Sequence, residues 1–148
     1  MNNTKACYLD ANVLVYLKDI SSEQYNECVS IIKKLIIEGH RFNISPLGID
    51  EFLYVVYSFL RKLGAKDPIN ELKNSLESVL NLPTLTIINP PFDKASQIKV
   101  IEYIRKFSLR PRDAYHLLIM ESHKIKYFLT FDSDFDKVFK DKVLKSVR

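Results

Sequence analysis

The chain has 148 residues, of which 47% are hydrophobic and 27% are charged. It is long enough to bury one sizeable core, and this composition excludes a disordered or fibrous protein. We therefore predict a single domain over residues 1–148. Its formal net charge of +4 favours a polyanionic partner only weakly.

Two cysteines, Cys7 and Cys28, lie in apolar segments without the spacing of a metal site or a redox motif. We interpret them as reduced core thiols, which indicates a cytoplasmic protein. The first five residues, MNNTK, show no apolar stretch of an export signal, and the uncharged run from Phe52 to Leu60 is too short for a membrane span. No membrane partner is expected.

The first element is an apolar run that delivers one acid. Residues Lys5 to Leu17 read KACYLDANVLVYL, which predicts a buried strand with Asp10 at its carboxyl end. Ligands of open α/β sheets bind beyond the carboxyl ends of the strands, so Asp10 is the first candidate site residue. The alternative is that Asp10 only caps the turn that follows.

The next segments alternate between helix and strand. Apolar residues at helical intervals predict a helix from Tyr25 to Gly39, and the spacing of Ser21 and Gln24 indicates a capping box at its start. Arg41 to Ile44 predicts a short strand. A parallel sheet covered by helices follows from this alternation if it continues along the chain.

A long helix is predicted from Pro46 to Leu63, with Ser45 as its N-cap. It is apolar on almost all sides, so we expect most of it to be buried against the sheet, a helix or a partner chain. Glu51 lies in its second turn, and a glutamate is rarely buried without a partner. Glu51 is therefore the second candidate, unless its side chain simply reaches water.

The alternation does continue to the end of the chain. The remaining predicted elements are a helix from Ile69 to Leu80, a strand from Leu85 to Ile88, a helix from Ala95 to Phe107, a helix that starts at Arg110-Pro111-Arg112-Asp113, and a strand from Tyr127 to Thr130.

Four acids occupy comparable positions in this pattern: Asp10, Glu51, Asp113 and Asp132. If they meet at one edge of the sheet, each pair about 5 Å apart repels by roughly 3 kcal/mol. Such a cluster is stable only when it binds protons or cations. Oxygen ligands without histidine or thiolate select Mg²⁺ or Mn²⁺, and these ions support hydrolysis of phosphodiesters by water.

These segments resemble the ordered motifs of PIN-domain ribonucleases. The matching residues are Leu9-Asp10-Ala11-Asn12-Val13-Leu14, Ile44-Ser45-Pro46 with Glu51, Arg112-Asp113-Ala114, and Leu129-Thr130-Phe131-Asp132 with Asp134-Phe135. The resemblance implies a three-layer α/β fold, with a central parallel sheet flanked by helices. It also implies a Mg²⁺ or Mn²⁺ site at the four acids and the cleavage of RNA. A chain of this size most resembles the VapC toxins of toxin–antitoxin pairs, which implies an antitoxin partner.

Further polar residues surround the four acids in the sequence. Asp134 is a candidate additional metal ligand. Asn12, Ser45, Arg110 and Arg112 are candidate substrate-binding residues. Asn12 could instead orient a carboxylate, hold a metal-bound water or simply form a turn. Ser45 is first an N-cap, and the arginines could form surface ion pairs. His116, three residues after Asp113, is more easily explained as a packing residue.

The sequence is also compatible with other functions. Asp10-Ala11-Asn12 after a strand loosely resembles haloacid dehalogenase-like phosphatases, but asparagine stands where their general acid is expected. A PIN-like chain could also be an RNA-processing nuclease outside a toxin–antitoxin pair, or a non-catalytic RNA- or protein-binding module. The apolar helices Pro46 to Leu63 and Ile69 to Leu80 suggest either a homodimer or an antitoxin groove.

Overall fold

The structure is a computed structural model that describes residues 5–148. Residues 1–4, on which the prediction about an export signal partly rests, lie outside this range. Within it, the strands are β1 (Ala6–Leu9), β2 (Arg41–Ile44), β3 (Thr86–Ile87), β4 (Tyr127–Leu129) and β5 (Lys145–Ser146). The helices are α1 (Ala11–Lys18), α2 (Tyr25–Ile37), α3 (Pro46–Lys62), α4 (Pro68–Leu80), α5 (Lys94–Phe107), α6 (Pro111–Ser122) and α7 (Asp136–Lys140), with a 3₁₀ turn at Ser133–Phe135.

The five strands form one parallel sheet in the order β3-β2-β1-β4-β5. The chain moves from β1 outward through β2 and β3, and then returns to the other side of β1 with β4. The strand order therefore reverses between β1 and β4, which is where open parallel sheets form ligand sites.

Side chains of β1 alternate between two cores, one on each face of the sheet. Cys7 and Leu9 pack into the core formed with α1 to α4, whereas Tyr8 packs into the core formed with α5 to α7. Successive residues of a strand point to opposite faces, so a fully buried strand needs helices on both sides. The predicted three-layer α/β fold is confirmed, and both cysteines are free and buried.

Some local predictions were wrong. The segment after Asp10 was expected to be a turn, but it is an eight-residue helix, α1. The helix α2 has Gln24 at its N-cap without a side-chain cap bond, so the expected capping box with Ser21 does not form. The third strand is reduced to Thr86–Ile87, and α7 and β5 were not predicted.

Helix α3 is less buried than its composition suggested. Tyr54 is 72% exposed and Phe59 is 52% exposed, whereas Phe52 is fully buried. The described chain by itself does not cover most of α3, so the expected burial of this helix would require a partner chain. No helix within residues 5–148 combines the length and apolar character that crossing a membrane requires.

Candidate functional site

The four predicted acids lie together at the carboxyl edge of the sheet. Asp10 directly follows β1, Asp132 follows β4, Glu51 lies in the second turn of α3, and Asp113 lies in the first turn of α6. All four line one cavity of about 300 Å³. Helix α6 precedes β4 and starts at the edge where β4 ends, which is why residues far apart in sequence converge here.

The tightest group of acids contains Asp134. One carboxylate oxygen each from Asp113, Asp132 and Asp134 can be chosen so that all three lie within 4.8 Å of one another. Asp10 and Glu51 share the first cavity with Asp113 and Asp132 but lie outside this tight group. Backbone geometry helps to bring Asp134 in, because its N–H donates to Asp132 Oδ1 at 2.9 Å in the 3₁₀ turn after β4.

Asp10 is held rigidly and is only 8% exposed. Its Oδ1 accepts a hydrogen bond from Ala11 N at 2.7 Å, as an N-cap of α1, and its Oδ2 accepts one from Thr130 Oγ1 at 2.6 Å. Burial raises the pKa of Asp10, although these hydrogen bonds oppose the rise. Asp10 is thus both a helix cap and a wall of the acidic cavity, so the two alternatives considered from the sequence are compatible.

Asn12 holds the ends of β1 and β4 together. Its Nδ2 lies 3.4 Å from Asp10 Oδ2 and 3.4 Å from Thr130 Oγ1, and its Oδ1 accepts from Phe131 N at 3.3 Å. With both ends of its amide engaged inside the protein, Asn12 orients the Asp10 carboxylate. This placement favours the orienting role over the predicted substrate contact.

Glu51 is anchored by His116, which the sequence-based reasoning had set aside as a packing residue. His116 Nε2 lies 2.5 Å from Glu51 Oε1, and its Nδ1 lies 2.7 Å from the hydroxyl of Tyr8. The Tyr8 hydroxyl in turn lies 2.6 Å from Ser45 Oγ. His116 is 1% exposed, so its ring joins α6 to β1 and α3 from inside the molecule.

Ser45 is fully buried, which argues against the predicted substrate contact. Its hydroxyl accepts from Gly48 N at 3.2 Å, as the N-cap of α3, and bonds to Tyr8. A side chain without exposed surface cannot touch RNA in this conformation. The cap role predicted for Ser45 is confirmed and the substrate role is corrected.

Arg110 and Arg112 line a second cavity that shares Glu51, Asp113 and Asp132 with the first. Arg110 Nε lies 3.9 Å from Asp134 Oδ2, and the arginine side chain is 83% exposed. An exposed pair of this kind contributes little to stability. Both guanidinium groups thus remain accessible beside the acids.

The electrostatics of Asp113 show why the acids need a cation. Burial first, and then the neighbouring Asp132 and Asp10 carboxylates, raise the pKa of Asp113 to about 6. Three carboxylates within 4.8 Å, with only oxygen atoms as donors, match the ligand preferences of hard divalent ions such as Mg²⁺ and Mn²⁺. The donor set therefore fits a divalent metal site.

Comparison with known proteins identifies the family. A model of the PIN domain matches residues 7–140. The chain belongs to the PIN domain family. PIN domains generally use divalent metal ions, which agrees with the acidic group at the edge of this sheet. No curated protein sequence matches the chain.

Solved structures share the PIN fold of this chain. FitAcB from Neisseria gonorrhoeae has a TM-score of 0.66 and 19% identity, with 95% of each chain covered. VapC20 of Mycobacterium tuberculosis, a sarcin-ricin loop cleaving toxin, has a TM-score of 0.62 and 12% identity, with 89% of this chain and 94% of that chain covered. VapBC2 from Rickettsia felis, bound to a promoter DNA fragment, has a TM-score of 0.61 and 16% identity, with coverages of 90% and 92%. At these identities the similarity shows a common fold.

The hydrogen bonds that three residues make around this PIN domain site were not predicted from the sequence: those of Tyr8, His116 and Thr130. Tyr8 and Thr130 each lie two residues before a predicted acid, Asp10 and Asp132 respectively, and this position was an available signal. The only sequence signal for His116 was its spacing of three residues from Asp113. Spacing along α6 does not reveal that its partner is Glu51 on α3.

Proposed function

We propose that this PIN domain is a Mg²⁺- or Mn²⁺-dependent endoribonuclease that hydrolyses phosphodiester bonds of RNA. The observation that carries the proposal is the convergence of Asp113, Asp132 and Asp134 within 4.8 Å. Two of these acids, Asp113 and Asp132, also line a cavity with Asp10 and Glu51. Family membership supports a nuclease. A bound divalent ion would lower the pKa of an attacking water and stabilise the leaving alkoxide.

The residues of the site divide into three roles in this proposal. Asp113, Asp132 and Asp134 would hold the metal ion, and Asp10 and Glu51 would complete the site. Asn12 and Thr130 orient the Asp10 carboxylate. The accessible guanidinium groups of Arg110 and Arg112 are suited to bind RNA phosphates, a contact that positions the strand without reading its sequence.

Cleavage of a labelled single-stranded RNA by the purified protein tests this proposal. We expect cleavage with Mn²⁺ or Mg²⁺ and none in EDTA, and Asp113→Asn should abolish it. Asp50→Asn is the matched control, because Asp50 is an exposed acid one residue from Glu51 on α3. Equal cleavage in EDTA would rule out the mechanism, and RNA binding without cleavage in any divalent ion would favour a non-catalytic module.

The proposed setting is a toxin–antitoxin pair. Its support is that VapC20 is a cleaving toxin and that FitAcB and VapBC2 share the fold. The alternative is an RNA-processing nuclease that acts without an antitoxin. Expression of the chain in cells, alone and together with the product of an adjacent short reading frame, separates the two: a toxin arrests growth only when expressed alone.

The exposed apolar surface of α3 and α4 is the proposed partner interface. A cavity of about 330 Å³ lies between α1, α3 and α4, and Tyr54, Phe59, Leu63 and Ile69 are each more than half exposed nearby. Large exposed apolar patches usually mark interaction sites. Either a homodimer or an antitoxin segment would cover this surface, and the molar mass of the free protein in solution decides between them. A monomer leaves the antitoxin as the occupant.

A further inference from the structure

A buried chain of hydrogen bonds runs from the start of α3 to the carboxylate of Glu51. Its links join Gly48 N to Ser45 Oγ at 3.2 Å, Ser45 Oγ to the Tyr8 hydroxyl at 2.6 Å, the Tyr8 hydroxyl to His116 Nδ1 at 2.7 Å, and His116 Nε2 to Glu51 Oε1 at 2.5 Å. We call these residues the Glu51 relay. The relay connects β1, α3 and α6, three elements that contribute acids to the site or directly precede one.

Burial sets the direction in which the relay donates. Ser45 and Tyr8 are fully buried and His116 is 1% exposed, so each hydroxyl hydrogen must find an acceptor within the protein. Among residues 5–148, the hydrogen-bond partners of Ser45 Oγ are Gly48 N and the Tyr8 hydroxyl. Since Gly48 N is a donor, the hydrogen of Ser45 is left with Tyr8 as its acceptor.

The remaining links follow from this first step. The Tyr8 hydroxyl accepts from Ser45, so its own hydrogen is donated to Nδ1 of His116. That nitrogen is then an acceptor, and the ring hydrogen lies on Nε2, where it is donated to Glu51 Oε1. When the hydrogen bonds are donated in this direction, from Ser45 towards Glu51, every polar atom of the relay has a hydrogen-bond partner. Reversal would leave the buried hydroxyl of Ser45 without an acceptor.

We propose that His116 is a positioning residue, fixed in one tautomer by Tyr8 and Ser45, which holds one oxygen of Glu51 and thereby sets the orientation of this carboxylate at the acidic cavity. The proposal rests on the proposed nuclease function only for its catalytic consequence. The side chain of Glu51 is 20% exposed, and it lines both cavities that contain the other acids. Without its anchor, a flexible glutamate would lose this single orientation.

The tautomer can be measured without any nuclease activity. The 148-residue protein with ¹⁵N-labelled histidine gives separate ring-nitrogen signals for its three histidines, and His116→Gln assigns those of His116. We expect the ring hydrogen on Nε2 at pH 7.5 in wild type, and a loss of this single tautomer in Tyr8→Phe. A ring hydrogen on Nδ1 in wild type would overturn the relay.

The catalytic consequence is tested by Tyr8→Phe, which removes one oxygen atom and keeps the ring. Hydrogen-bonding partners of metal-site residues are typically worth 10–100-fold in affinity or activity, so we expect roughly a 10-fold fall in Mn²⁺ affinity and in kcat for RNA, with little change in KM. A wild-type kcat and Mn²⁺ affinity in Tyr8→Phe would refute the positioning role.

Tyr103→Phe is the matched control. Tyr103 is also buried, and its hydroxyl donates to the carboxylate of Glu121, but it lies on α5 outside both acidic cavities. We expect this variant to keep the wild-type kcat. If wild type cleaves no RNA, the proposed nuclease function is wrong. The tautomer of His116 and the Mn²⁺ affinity of Tyr8→Phe still test whether the relay positions Glu51.

Discussion

Replacing Asp113 with asparagine is expected to stabilise the metal-free protein at neutral pH. Burial and the nearby Asp132 and Asp10 carboxylates raise the pKa of Asp113 to about 6, whereas an aspartate in the unfolded chain has a pKa of about 4. Between these values the folded state binds more protons than the unfolded state. The free energy of unfolding therefore decreases as the pH rises through this range, and the loss persists above it.

The size of this effect follows from the position of Asp113. A pKa difference of about two pH units corresponds to ~3 kcal/mol, and we take roughly half of this because the half-buried carboxylate is screened by solvent. Loss of a negative charge in the first turn of α6 costs ~0.5 kcal/mol through the helix dipole. The net gain for Asp113→Asn is ~1 kcal/mol at pH 7.5, or roughly 3 °C in Tm, with little difference at pH 4.

Thermal unfolding in EDTA at pH 4 and pH 7.5, followed by circular dichroism, measures this gain. At 100 times the Kd for Mn²⁺, wild type should gain ~2.7 kcal/mol, whereas the variant should gain much less, so the order of stability reverses. Asp50→Asn, at an exposed acid of α3, should show neither effect. A variant that is less stable than wild type at pH 7.5 in EDTA would refute the electrostatic reasoning.

Three further predictions concern single side chains. Thr130→Val removes the hydroxyl that joins Asp10 to the N–H of Asp132, so urea unfolding should show a loss of about 1–3 kcal/mol and Mn²⁺ titration a weaker affinity. Arg112→Ala, measured in a cleavage-deficient background, should weaken RNA binding for all sequences and reduce the salt slope by about 1; an unchanged slope would contradict a phosphate contact. Burial lowers the pKa of His40, whose Nδ1 has no partner among residues 5–148, so wild type should lose stability relative to His40→Phe as the pH falls below about 6.5.

Much of the fold follows from local patterns in the sequence. The apolar run before Asp10 determines a buried strand, and Ser45-Pro46 determines the start of α3, which is Pro46 in the structure as well. These features depend on the periodicity of neighbouring side chains and on cap chemistry, both of which are local properties. The two-residue strands β3 and β5 have too few residues for such a pattern, so only their pairing in the sheet defines them.

The acidic site was also predictable only in part from the sequence. Because the carboxyl ends of parallel strands share one edge, the sequence alone indicated that Asp10 and Asp132 could meet. It also named Glu51, Asp113 and Asp134 as further candidates. Only the tertiary structure decided that Asp134 joins the tight group, that Ser45 is buried away from any substrate, and that His116 anchors Glu51. These outcomes depend on how α3 and α6 pack across the sheet, and the distance between side chains on two helices is not encoded in the pattern of either one.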